Sequence, residues 1–227
     1  GMMRLRGADW NDALDMAAEK GESVAFTCAY AGNLRILASL LHLMESATGG
    51  NSIPLLEEIQ ILLNDQVDMF DNVSQKKEIL AEYSKSCRHN LSGKQKEYSL
   101  SALAMNLLQK ASWITEHIRS QEWINLNDTE GWYNSYYDNH GRSVEGFYEG
   151  QVRMMLTGQV FSIMGNVATD EQIKKIIQSA DHYLYKKEIG GYRLNTDFHE
   201  LKFDIGRMFG FAYGEKENGA VFSHMAV

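Results

Sequence analysis

Residues 96–123 read KEYSLSALAMNLLQKASWITEHIRSQEW, and their spacing decides the fold class. Leu100, Leu103, Leu107, Ala111, Ile114 and Ile118 recur at steps of three and four, the period of one helix face. The pattern continues on both sides. Leu34, Leu37, Leu41 and Met44 form a stripe in a helix predicted over Ser23 to about Ser46, and Thr48-Gly49-Gly50 ends it. Ser52 and Pro54 are residue types of a helix start, so a second helix is expected to carry Leu56, Ile59, Leu63, Val67 and Phe70. A third carries Ile79, Tyr83 and Cys87. Further on, Val152, Leu156, Val160 and Ile163 predict a helix from Gly150 to about Met164. Thr169-Asp170-Glu171-Gln172 spells a capping box for another that runs through Tyr185. Short links imply antiparallel hairpins. The expectation is an all-α single domain over residues 2–227, with Gly1 set aside as a remnant ahead of Met2.

Composition agrees with that reading. One proline in 227 residues favours long uninterrupted helices over a turn-rich sandwich. An apolar content of 44% is that of a globular chain rather than a disordered one. A formal charge of −8 with no basic cluster argues against nucleic acid and anionic membranes as partners. No apolar run approaches the length of a membrane span, and no signal peptide is read at the N-terminus. Cys28 and Cys87 both fall in predicted helices and read as free thiols of a cytoplasmic protein.

Polar and aromatic residues gather between the helices. Gly7-Ala8-Asp9-Trp10-Asn11-Asp12-Ala13-Leu14-Asp15 holds three acids, an amide and an indole without apolar periodicity. It reads as a loop that can hold a sugar: a plate for stacking, acceptors for hydroxyls and one acid for proton transfer. Asp12 is either that acid, its pKa raised beside Trp10, or an ordinary solvated loop acid or helix cap. Asp9 and Asp15 read as structural. Gly131 to Gly141 is aromatic-rich and predicts a short strand and hairpin, with at least two of Trp132, Tyr133, Tyr136 and Tyr137 in the core. Arg193, Asn195, Thr196 and Asp197 are hydroxyl-binding residue types, though a solvated surface loop is the commoner meaning. Near the end, Glu217 sits in a polar loop, and His224 opens an apolar helix where it is either a phosphate donor or a core residue. Asp138 and His140 are too few for a metal site, and no phosphate loop or serine elbow is present.

Together these segments resemble a known family. Asp9-Trp10-Asn11-Asp12 followed by Gly21-Glu22-Ser23-Val24 resembles the catalytic-loop signature of glycoside hydrolase family 94, the inverting β-glucoside phosphorylases. Gly131-Trp132-Tyr133 through Asp138-Asn139-His140-Gly141 is similar to its aromatic, Asp-turn-Gly segment, and Glu217-Asn218-Gly219-Ala220-Val221-Phe222-Ser223-His224 to its Glu-Asn-Gly-x-x-Phe-x-His motif. Gly191 to Asp197 and Arg153-Met154-Met155-Leu156-Thr157-Gly158-Gln159 look most like the β-1,2-oligoglucan branch.

The resemblance implies part of an (α/α)6 toroid built from helical hairpins, with one or two short β-hairpins in its loops. It implies Asp12 as general acid, Trp10 and Glu217 in the donor-sugar subsite and His224 on phosphate. The ligands would be a β-gluco-oligosaccharide and inorganic phosphate, with no cofactor and no metal. A hydrolase on the same scaffold and a non-catalytic carbohydrate-binding module are the alternatives. Compared with a full family member, the N-terminal β-sandwich, the first part of the toroid and the C-terminal end lie outside this sequence. The isolated chain is therefore expected to be inactive, and the apolar edge of an open ring to be covered by a second copy in a homo-oligomer.

Overall fold

A computed structural model of the chain describes residues 2–7, 13–63 and 69–222. It divides into two compact units, one of residues 1–30 and 115–227, the other of residues 31–114. Six α-helices are present among the described residues: α1 (Val24–Thr48), α2 (Gln60–Leu63), α3 (Val73–Ser86), α4 (Leu100–Gln121), α5 (Leu156–Met164) and α6 (Asp170–Tyr183). The helical reading holds for the long elements, but strands are more numerous than one or two hairpins. Five small antiparallel sheets occur among the described residues.

In the 31–114 unit, the predicted second helix begins instead as a strand, β3 (Ser52–Leu56), paired with β4 (Gln95–Ser99). Pro54 serves a strand facing a single partner as well as it serves a helix start. The chain becomes helical only after Leu56, through a 3-10 turn (Glu57–Ile59) into α2. Val67 of the expected stripe lies outside the described residues. On α4, Leu100 and Leu103 are buried as predicted, whereas α1 differs from its predicted stripe: Leu34 is buried but Leu37 and Met44 are exposed. By length and composition α1 is apolar enough to cross a membrane, contrary to the expectation that no segment is. Val24, Ala25 and Cys28 nevertheless bury its first turns in protein.

The other unit carries most of the polar segments. β1 (Met3–Arg4), β2 (Glu22–Ser23) and β7 (Tyr136–Tyr137) form one three-stranded sheet. β5 (Trp123–Asn125) pairs with β6 (Gly131–Tyr133), so the aromatic segment closes a hairpin with the stretch just after α4. Trp132, Tyr133 and Tyr136 are core residues; Trp132 and Tyr133 are neighbours on opposite faces of β6, so that strand is buried on both sides. The predicted helix from Gly150 starts later. Its first residues belong to a hairpin of β8 (Gly146–Tyr148) and β9 (Gln151–Arg153), turned through Glu149 and Gly150 at positive φ. α5 follows at Leu156, and its Gly158 packs so closely on Ser135 that any side chain there would collide. The capping box of α6 forms as expected, with the Thr169 side chain and Gln172 exchanging bonds across the first turn. β10 (Tyr185–Lys186) and β11 (Gly191–Tyr192) complete the strands.

Candidate active site

Three of the four residues expected to act on substrate, Trp10, Asp12 and His224, lie outside the described residues. So does the apolar helix expected to begin near His224. Their immediate flanks, and Glu217 itself, are described.

The flank of the first loop is anchored firmly. Leu14 and Ala17 are buried in a cluster with Leu5, Tyr136, Ile205 and Met208. Met16 N–H donates to the Ile205 carbonyl at 3.2 Å. Asp15 accepts the Arg207 backbone N–H at 3.0 Å and its guanidinium at 3.4 Å. It thus caps the 3-10 turn Arg207–Gly210 across the chain, rather than the segment that follows it in sequence.

Glu217 stands in a turn running from Gly214 to Gly219. Gly214 N–H donates to the Asn218 carbonyl at 2.7 Å, and Asn218 N–H to the Glu215 carbonyl at 3.1 Å. Gly219, with φ +75°, leaves no room for a side chain because the Tyr213 ring occupies that space. Oε2 of Glu217 is buried and meets no hydrogen-bond donor among the described residues. A carboxylate oxygen enclosed without a donor is costly and calls for a specific explanation, of which a ligand's donor is one.

The segment read as a surface loop, Arg193 to Asp197, is instead partly interior. Asn195 is fully buried and Thr196 nearly so. Asn195 Oδ1 accepts from Gly219 N–H at 2.7 Å, and its Nδ2 donates to Asn218 Oδ1 at 3.1 Å. Tyr213 OH donates to the Asn195 carbonyl at 2.9 Å. Arg193 donates to the Gly219 carbonyl at 2.5 Å and lays its guanidinium over the Tyr213 ring, 5.0 Å from the centroid. Asn218 Nδ2 in turn donates to the Phe211 carbonyl at 2.8 Å, and Phe211 packs on the cluster that holds Leu14. The flank of the first motif and the third motif therefore share one core.

The middle motif is structural where it is described. Asp138 is buried and ion-paired with Arg142 at 2.9 Å and Lys202 at 3.7 Å. Burial works to raise its pKa, but the backbone N–H groups of Arg142 and His140 and the guanidinium outweigh that and hold it below the usual range. Its carboxylate is committed to these cations, and among the described residues no group of three metal-ligating side chains occurs. Gln159 of the Thr157-Gly158-Gln159 phrase is likewise buried, exchanging hydrogen bonds of 2.8 Å each way with the Tyr133 backbone.

Two features escaped sequence reasoning. Glu145, fully enclosed, accepts from Met155 N–H at 2.6 Å and from Ser135 N–H. An open cleft of about 540 Å³ is lined by Arg142, Tyr148, Arg153, Phe198 and Lys202 among others. Its cations are already paired, Arg153 with Glu200 at 2.6 Å and Arg142 with Asp138 and Asp204.

Fold and site define a helix-rich protein in which the flank of the first polar segment and the turn of Glu217 share one apolar core. The profile of the glycosyl hydrolase 94 superfamily catalytic domain matches residues 80–227, more than half of the chain. The chain belongs to this family. It is 31% identical over 123 residues to the solabiose phosphorylase of Paenibacillus borealis, covering 54% of this chain and 15% of that protein. It is 29% identical over 112 residues to the cellobionic acid phosphorylase of Neurospora crassa, covering 49% of this chain and 13% of that protein. The matched part thus spans well under a quarter of either curated relative.

Proposed function

We propose that this chain carries part of the catalytic centre of an inverting glycoside phosphorylase, which cleaves β-linked gluco-oligosaccharides with inorganic phosphate to α-glucose 1-phosphate. The observation that carries the reading is the turn at Glu217, with a buried carboxylate oxygen lacking a donor, held on the core that also anchors the flank of the Asp12 loop. Family membership and two phosphorylase relatives support the reaction class.

In this reading a phosphate oxygen attacks the anomeric carbon, the glycosidic C–O bond breaks, and the leaving oxygen takes its proton from Asp12. One protein carboxyl suffices, because phosphate replaces the water that a second carboxylate must activate in an inverting hydrolase. Trp10 and Glu217 hold the donor sugar, and His224 holds phosphate. The preferred substrates are β-1,2-linked oligoglucans, on the motif at Gly191 to Asp197. The scaffold is assigned as an (α/α)6 toroid acting as a homo-oligomer. The free thiols Cys28 and Cys87 support a cytoplasmic setting.

The test uses the full natural protein with sophoro-oligosaccharides, with and without phosphate. Glucose 1-phosphate is expected only with phosphate, and Asp12→Asn is expected to lower turnover by about 10²–10⁴-fold. Release of free glucose at the same rate without phosphate would establish a hydrolase instead.

A further inference from the structure

We infer that Arg193 is a positioning residue for the donor-sugar subsite, holding the turn of Glu217 in the form that receives the sugar. This rests on the assignment of Glu217 to that subsite. The geometry is independent of it.

Arg193 touches the turn at three points. Its Nη1 donates to the Gly219 carbonyl, closing the end of the turn. Its guanidinium lies over Tyr213, the residue just before the turn. It also packs against Gly214 at the start of the turn, where an added Cβ would sit 2.9 Å from Nη1. Gly214 has φ +102° and so has two reasons to be glycine, backbone conformation and the neighbouring guanidinium. Two residues along, Asn195 also grips the turn, through Gly219 N–H and the Asn218 side chain. Glu217 lies between the gripped ends and makes no ion pair with Arg193 among the described contacts. Arg193 thus acts on the sugar through the backbone of the turn.

Lysine cannot reproduce this. A planar guanidinium can stack on the ring and donate in its own plane at once, whereas an ammonium group is a point charge. Segment 193–196 is anchored by Leu156 N–H to the Leu194 carbonyl, 2.8 Å, and Thr196 N–H to the Met154 carbonyl, 2.9 Å. The grip therefore comes from fixed backbone.

The experiment compares wild type, Arg193→Lys and Arg193→Ala in the full natural protein. Initial rates are measured against donor oligosaccharide, and amide exchange is followed at Gly214 and Gly219. Loss of a hydrogen bond to a charged donor predicts a rise in donor KM of about 10-fold or more in Arg193→Ala. kcat should change little, because binding common to ground and transition states is what is lost. Arg193→Lys should recover part of the KM, and both amides should exchange faster in Arg193→Ala while those of β6 do not. An unchanged KM with a folded variant overturns the inference, as does a fall in kcat alone. If Arg193→Ala does not fold, Arg193→Lys decides by the same KM criterion. If wild type cleaves no oligosaccharide, the phosphorylase reading fails first. Exchange then decides alone: unaltered protection at Gly214 and Gly219 overturns the positioning role.

Discussion

Glu145 illustrates what a single enclosed acid does to the surrounding segments and to stability. Burial is the largest influence on it and pushes its pKa up to about 8, against the pull of the Ser135 and Met155 N–H donors. In the unfolded chain the carboxyl titrates near 4.5. The folded state therefore binds the proton more tightly, and the stability linked to it is complete below about pH 4.5 and lost as pH rises toward about 8. Glu145→Gln should destabilise the protein, because its amide must turn an N–H₂ toward a backbone N–H. It should also abolish this pH dependence. The gap in urea midpoint between wild type and variant is expected to narrow from pH 5.5 to pH 8.5, and a gap that widens would contradict the assignment. Nothing in Val144-Glu145-Gly146 signals this role, since its donors arrive from separate stretches of chain. Asn195 carries no sequence signal of an interior residue for the same reason: apart from the adjacent Thr196 carbonyl, these partners lie 18 to 24 residues away. Asp15, by contrast, was rightly read as structural from its residue type, although its partner was not.

Elements were readable wherever their signals are local. The capping box at Thr169 is such a case, because all of its atoms lie within four residues. Gln172 Oε1 accepts from both Thr169 N–H at 3.0 Å and Tyr133 OH at 2.7 Å, so the cap also ties α6 to the buried strand β6. Thr169→Ala should cost about 1 kcal/mol, with Thr169→Ser close to wild type. Urea unfolding of the three proteins measures this, and an alanine variant as stable as the serine one would deny the cap its role. The strand β3 reads as a helix start in sequence because Ser52 and Pro54 suit both, and only its five-pair ladder with β4, 39 to 47 positions away, distinguishes the two. The hairpin of β8 and β9 hid inside an apparent helical stripe, since Val152 happens to fall four residues before Leu156. Its turn residues Glu149 and Gly150 were the local clue against a helix.

At the scale of the whole molecule, the described segments that flank or hold the residues assigned to sugar and phosphate come from opposite ends of the sequence yet share one compact unit. Ala13 to Ala17, which follow the Asp12 loop in sequence, and Glu217 itself are among its described residues. Sequence order alone could not show that, because the link between them runs through the cluster of Leu14, Ile205, Met208 and Phe211. The grouping has a consequence for ligand binding. A ligand that binds only the folded state stabilises what it contacts, by about 2.7 kcal/mol at a hundred times its dissociation constant. On the proposed roles, α-glucose 1-phosphate added to the full natural protein should slow amide exchange at Met16, Arg207 and Gly219, whose N–H groups bond within this unit. The ladder of β3 and β4 in the other unit carries none of the proposed ligand contacts, so its amides should be protected much less. Exchange monitored by mass spectrometry with and without the sugar phosphate distinguishes the cases. Protection confined to β3 and β4 would place the ligand in the wrong unit and remove the support for Glu217 as a sugar-binding residue.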